Sequence, residues 1–180
     1  MFAVDTNVLL YAADESGPDY ERARSLLESW RRQASPWYVT WSVFYEFMRV
    51  AGHPRVFRRP WPMRKTLEFV EAMTASESLH ILSPTPRHQA VLRQVLDETR
   101  GLTSNQAHDL HIAVTLREHG ITRIVTRDRG FQRFPFLEVV DPFEGDAMLV
   151  RDGGSRHYGA RSRPRSPVKQ ARRRARGTRS

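Results

Sequence analysis

The chain contains no cysteine. Disulfides and thiolate metal sites are therefore excluded, and a reducing, cytoplasmic setting is expected. It also lacks any run of about 18 apolar residues, so no membrane-spanning helix is expected. The opening, MFAVDTNVLLYAADE, is apolar but short, has no basic stretch ahead of it and reaches Asp5 at once, which makes it a poor secretory leader. There is no internal repeat.

What is present fits one domain with an added segment: 180 residues, of which a core of about 140–150 can bury its apolar surface without staples. The net charge of +9 is unevenly placed. Residues 1–150 hold 18 Lys and Arg against 19 Asp and Glu, a net of −1; residues 151–180 hold 11 against one, a net of +10. The basic character belongs to the end of the chain. From about Asp146 the apolar periodicity fades into Arg, Ser, Gly and Pro, a composition that cannot offset the entropy of ordering. The expected division is a folded unit over 1–145 and a disordered Arg-rich tail over 146–180.

Within the folded unit, strand and helix patterns alternate. Phe2 to Val4, Trp37 to Thr40, His80 to Leu82, Arg123 to Thr126 and Leu137 to Val140 read as strands. Helical periodicity covers 19–32, 42–50 with Ser42 as N-cap, 62–75 with Pro62 near its start, 86–100 and 105–119. Strands separated by helices predict an α/β fold with a parallel sheet covered on both faces.

Four carboxylates stand in informative places. Asp5 directly follows the first strand and Asp128 lies two residues past the fourth, so both belong at the carboxyl edge, where open parallel sheets bind ligands. Glu46 interrupts an apolar stripe in SVFYEFMRV, and Asp109 interrupts one in NQAHDLHIAVTLREHG. Each acid taken alone has a purely structural reading: a turn or N-cap for Asp5 and Asp128, a first-turn acid on the helix dipole for Asp109, an ion pair with Arg49 for Glu46. Together they point to one site. Several ionised carboxylates cannot share a part-buried site without protons or cations, and an all-oxygen set suits Mg²⁺ or Mn²⁺. Such an ion activates water and stabilises charge on a phosphate, the chemistry of phosphodiester hydrolysis. The stretch GHPRVFRRPWP interleaves Arg55, Arg58 and Arg59 with Phe57 and Trp61, a mixture suited to single-stranded RNA, although a connecting loop docked on the core has the same composition. Arg127, Arg129 and Arg133 flank Asp128 and are further candidates for phosphate contact.

The motifs FAVDTNVLLYA, YEF with Glu46, HDLHIAVTLREHG and IVTRDRGFQRFP, taken in order from Met1 to about Phe143, resemble those of PIN-domain nucleases, and most nearly the VapC-type toxins of bacterial toxin–antitoxin pairs. The resemblance implies a three-layer α/β/α PIN-like fold around a mostly parallel five-stranded sheet of order 3-2-1-4-5. It implies an Mg²⁺-dependent endoribonuclease that forms a homodimer and is bound by a small antitoxin protein. Asp5 and Asp109 match the acids that share the ion, with Glu46 and Asp128 completing the quartet. Thr6 or Asn7 would support Asp5, and Thr126 would support Asp128. Gly130 stands where some members carry a further acid. On this reading metal-activated water attacks the RNA phosphodiester, Glu46 orients or deprotonates that water, and the products carry 5′-phosphate and 3′-hydroxyl ends.

Three other readings remain. A phosphatase of the haloacid-dehalogenase type also begins with an Asp after the first strand, but expects a second Asp where Asn7 stands. A degenerate PIN module would bind RNA or scaffold a partner without catalysis, against which the complete quartet argues. His108 and His111, three apart on one helix, could run metal-free cleavage, but no partner Lys or fixed phosphate loop accompanies them.

Overall fold

The apolar runs pair side by side in one sheet, and the segments between them coil into helices that cover it. The structure, a computed structural model, describes residues 1–144; the tail expected over 146–180 lies outside the described residues. In chain order the elements are β1 (Ala3–Val4), α1 (Thr6–Ala13), α2 (Tyr20–Arg32), β2 (Trp37–Thr40), α3 (Trp41–Ala51), α4 (Met63–Thr74), β3 (Leu79–Leu82), α5 (His88–Glu98), α6 (Ala107–Glu118), β4 (Arg123–Val125) and β5 (Glu138–Val140), with short 3₁₀ turns over Ser104–Gln106 and Arg129–Arg133. The strand order is β3-β2-β1-β4-β5, and every pairing is parallel.

This order places the site. The chain moves from β1 outward to β2 and β3, then returns past β1 to β4 and β5. Right-handed crossovers then put α1 to α4 on one face of the sheet and α5 with α6 on the other, in keeping with the packing of α1 on α2 and α3, of α3 on α4, and of α5 on α6. The direction reverses between β1 and β4, so a crevice opens at their carboxyl ends.

The core explains why these segments hold. Phe2, Trp30 and Trp37 form a chain of ring contacts, 5.1 and 5.7 Å between centroids, that joins β1, α2 and β2. The indole N–H of Trp37 donates to Ser78 Oγ at 3.2 Å, which lets the large ring be buried without an orphaned donor. On the other face, α6 buries Ile112, Ala113, Val114 and Leu116 together; each large apolar side chain hidden this way contributes about 1.5–3 kcal/mol. Among the described residues no helix is long and apolar enough to cross a membrane.

Two local expectations are corrected. Residues 6–13, assigned to no element from the sequence, form α1, with Asp5 as its N-cap. The cap of α3 is Thr40, whose side chain accepts from Val43 N; Ser42 lies inside the helix and shares a hydroxyl contact of 2.7 Å with Thr40. Thr40 ends β2 in extended backbone, the conformation an N-cap requires, so strand and helix meet without a loop.

Candidate active site

Asp5 follows β1 and is tied to β4 by its own N–H, which donates to Val125 O at 3.1 Å. Its side chain is 6% exposed. Three polar groups set its carboxylate in place. Oδ1 accepts from Thr6 N at 2.7 Å, while Oδ2 accepts from Asn7 Nδ2 at 2.8 Å and from the Thr126 hydroxyl at 2.7 Å. Asn7 Nδ2 also donates to Thr126 Oγ1 at 2.7 Å. Even so, burial pushes the Asp5 carboxyl up to about 6, against the pull of the Thr126 and Thr6 hydrogen bonds and with help from the charges of Glu46 and Asp109.

Glu46 reaches the same edge from α3. Thr6 joins the two acids: its N–H serves Asp5 and its hydroxyl donates to Glu46 Oε2 at 2.8 Å. His108 Nε2, from α6, lies 2.7 Å from that same oxygen, an ion-pair contact that is close without being aligned as a hydrogen bond. Arg49 is more distant, 3.4 Å from Oε1. The His108 contact, with Thr6 and Arg49 adding to it, pulls the Glu46 carboxyl down to about 2 despite part-burial. His108 is in turn raised above its ordinary value by Glu46, and by the charges of Asp5 and Asp109 beyond it.

Asp109 sits in the first turn of α6, half-buried, and its pKa is raised by burial and then by the charge of Asp128. Asp128 is exposed; its Oδ1 accepts from Gly130 N at 2.6 Å, and its own N–H donates to Thr126 Oγ1 at 2.9 Å. Thr126 therefore donates its hydroxyl hydrogen to Asp5 and supports Asp128 through that residue's backbone N–H, linking the two acids. The glycine at 130 matters here. A Cβ placed on it would lie 2.9 Å from Asp128 Oδ1 and 3.3 Å from Asp109 Oδ2, so its missing side chain leaves a gap flanked by both carboxylates.

The donor set fits a hard divalent cation. It is all oxygen, and burial, with the acids' mutual repulsion adding to it, raises the pKa values of Asp5 and Asp109. Asn7 Oδ1 is a buried acceptor without a partner among the described residues. Among those residues no three acids or histidines already stand in a metal-holding arrangement, and Glu46 is drawn to Thr6 and His108.

The basic candidates are dispersed. Arg127 is engaged, 3.0 Å from Asp19 and 3.4 Å from Asp141, with its guanidinium over the Phe143 ring. Arg129 is exposed beside Asp128, and Arg133 donates to Gly130 O at 2.7 Å and bears electrostatically on Asp109. Arg55, Arg58 and Arg59 are exposed, but Arg58 and Arg59 line a recess of about 700 Å³ with Asp14, Glu15, Trp61 and Lys65, at the far end of α1 from Asp5. Phe57 is buried, and Trp61 packs on Phe47, Phe57 and Phe69 with Lys65 over its ring, the docked-loop alternative for these two aromatics. His111 turns away from the acids toward His88, 5.5 Å between ring centroids. The close approach of His108 to Glu46 was not read from the sequence; both residues lie on predicted helices, but nothing local says that α3 and α6 meet.

Comparison with known proteins supplies the family. The PIN domain model matches residues 2–137. Ribonuclease VapC48 of Mycobacterium tuberculosis is 28% identical over 141 residues, spanning 78% of this chain and 97% of that protein. Ribonuclease VapC43 of the same organism is 32% identical over 149 residues, spanning 83% and 100%. Among solved structures, VapBC2 from Rickettsia felis, bound to a DNA fragment from their promoter, superposes with a TM-score of 0.55 at 16% identity, covering 77% of this chain and 96% of that one.

Proposed function

The chain belongs to the PIN-domain family, and from that premise we propose that it is a metal-dependent endoribonuclease, the toxin of a toxin–antitoxin pair. The observation that carries the reading is that Asp5, Glu46, Asp109 and Asp128, from four separate elements, lie within electrostatic reach of their neighbours around the switch point of a parallel sheet. The ribonuclease names of its relatives support the reaction, and the VapBC2 neighbour supports an antitoxin partner. The working unit is proposed as residues 1–145, a homodimer in the cytoplasm, with 146–180 as a separate tail.

Asp5, Asp109 and Asp128 would hold Mg²⁺ or Mn²⁺, with Glu46 beside them. The bound ion would offset the acids' mutual repulsion and supply both a more acidic water and charge stabilisation at the scissile phosphate. Asp5 is pre-set by Thr6, Asn7 and Thr126, so its carboxylate loses little freedom on binding. Glu46 is ionised throughout the physiological range, and a carboxylate pulled down to about 2 is suited to orienting the attacking water more than to deprotonating it. Arg129 and Arg133 lie where they can meet the phosphates on either side. The phosphatase alternative loses its footing, because Asn7 donates to Asp5 where that chemistry needs an acid.

The test is cleavage of labelled total RNA by partner-free protein, with Mg²⁺ or with EDTA, for wild type and Asp5→Asn. Cleavage is expected only for wild type with Mg²⁺, leaving 5′-phosphate and 3′-hydroxyl ends. Ends bearing 2′,3′-cyclic phosphate, or activity that survives EDTA, would overturn the mechanism.

A further inference from the structure

The helix that carries Glu46 also carries an exposed aromatic row. Trp41 is 47% and Tyr45 69% exposed, although both are large and apolar and sit on a helix whose other side, Val43, Phe44 and Phe47, is fully buried. Their rings lie 6.3 Å apart, tilted by 43°. The spacing i, i+4 continues to Arg49 at i+8, whose side chain is 68% exposed. An aromatic, an aromatic and a cation thus run along one stripe of α3, one residue over from Glu46.

The row begins at the catalytic edge. Tyr38 of β2 pairs with Ala3 of β1, which brings Thr40 level with Asp5. Trp41 follows at once, and the row runs along the helix beside Glu46, the acid that α3 contributes. Among the described residues Arg49 is held only by a 3.4 Å contact with Glu46, a surface pair of little strength that a phosphate can replace. The aromatics of the 53–61 loop are placed differently, since Phe57 is buried and Trp61 is part-buried against Phe47 and Phe69, at the far end of α1 from Asp5.

A second protein copy is the other natural occupant of exposed aromatics, and area argues against it. Each ring offers about 150–250 Å² when wholly buried. Two rings already part-covered fall well short of the roughly 800 Å² per partner of a stable protein interface. Two bases of single-stranded RNA match the patch in size, and Arg49 gives the anionic backbone its counter-charge.

We propose that Trp41 and Tyr45 form a base-stacking subsite for single-stranded RNA, with Arg49 as its phosphate contact, positioning the strand beside the acidic quartet. The proposal rests on the ribonuclease reading. It commits the enzyme to unpaired RNA, because bases inside a duplex cannot present their faces to side chains.

The test measures binding in EDTA, where the RNA stays intact, using a labelled single strand of mixed sequence and its duplex. Trp41→Ala and Tyr45→Ala should each weaken single-strand binding on the order of tenfold, while Trp41→Phe and Tyr45→Phe, which keep a ring, should retain most of it. The duplex should bind weakly to all of them. Single-stranded RNA should quench tryptophan emission of the wild type, and much less that of Trp41→Phe, a reading that needs no alanine variant to fold. Unchanged single-strand affinity in both alanine variants would overturn the proposal. So would a shift of Trp41→Ala to a smaller species in sedimentation, which would make the row a contact between copies. Wild-type protein that binds RNA through these rings yet never cleaves it with Mg²⁺ would remove the nuclease reading and leave the subsite standing.

Discussion

Asp5 is held in a state that the fold alone disfavours. Its carboxyl is pushed from 3.8 to about 6 by burial, so folding favours the protonated form. The sign follows: stability from this group is fully present below about pH 4, is lost as pH rises to about 6, and the deficit at neutral pH is on the order of 3 kcal/mol. In metal-free protein, Asp5→Asn should therefore raise the melting temperature at pH 7, with the gain disappearing near pH 4; Asn7 can turn its amide to meet the new side chain, because its Oδ1 has no partner among the described residues. Calorimetry at the two pH values checks this, and an equal effect at both would contradict it. Mg²⁺ should raise the melting temperature of wild type and do so much less for Asp5→Asn. Gly130 makes a separate demand. Gly130→Ala places a methyl against the Asp128 and Asp109 carboxylates, so Mg²⁺ affinity measured by titration calorimetry should fall about tenfold or more with little change in melting temperature, the conflict being confined to side-chain oxygens.

At the scale of elements, legibility followed contrast. Residues 20–32 alternate buried Ala23, Leu26, Leu27 and Trp30 with charged neighbours, so α2 could be read directly. Thr6–Ala13 has no charged residue and only eight positions, so it shows no polar face to set against its apolar one, and α1 went unassigned. The acids at 5, 46, 109 and 128 were legible because a carboxylate in or beside an apolar run is conspicuous. The partner of Thr126 and the approach of His108 to Glu46 were not, since both depend on how β4 lies on β1 and how α6 meets α3. One further element contact carries weight. Glu118, at the end of α6, has a fully buried side chain that accepts from Thr85 N and the Thr85 hydroxyl and lies 2.6 Å from His88 Nδ1, fastening the start of α5. Glu118→Ala leaves those donors unmet and should cost about 2–4 kcal/mol in denaturant unfolding. Cleavage below the new melting transition should persist, because no member of the quartet touches Glu118; its loss in folded protein would show α5 to be coupled to the site.

On the scale of the whole molecule, the sheet gathers residues far apart in sequence. Asp5 and Asp128 share Thr126 as a partner only because the chain passes β1 on its way back to β4. Sheet, both helical layers and all four acids lie within residues 1–144, so a chain ending at Glu144 should keep its melting temperature and its Mg²⁺-dependent cleavage; a fall of many degrees would mean that the tail belongs to the fold. The route by which the chain reaches that point has a consequence of its own. Arg127, the neighbour of Asp128, grips Asp19 and Asp141, while Arg22 donates to Phe143 O at 2.7 Å and Tyr11 lies against the Phe143 ring. These contacts fasten the last described residues to the rim of the crevice and not to the opposite pole of the sheet. Residues 141–144 are therefore part of the crevice's wall, and a change at Arg127 would loosen the chain's exit and the loop of Asp128 together.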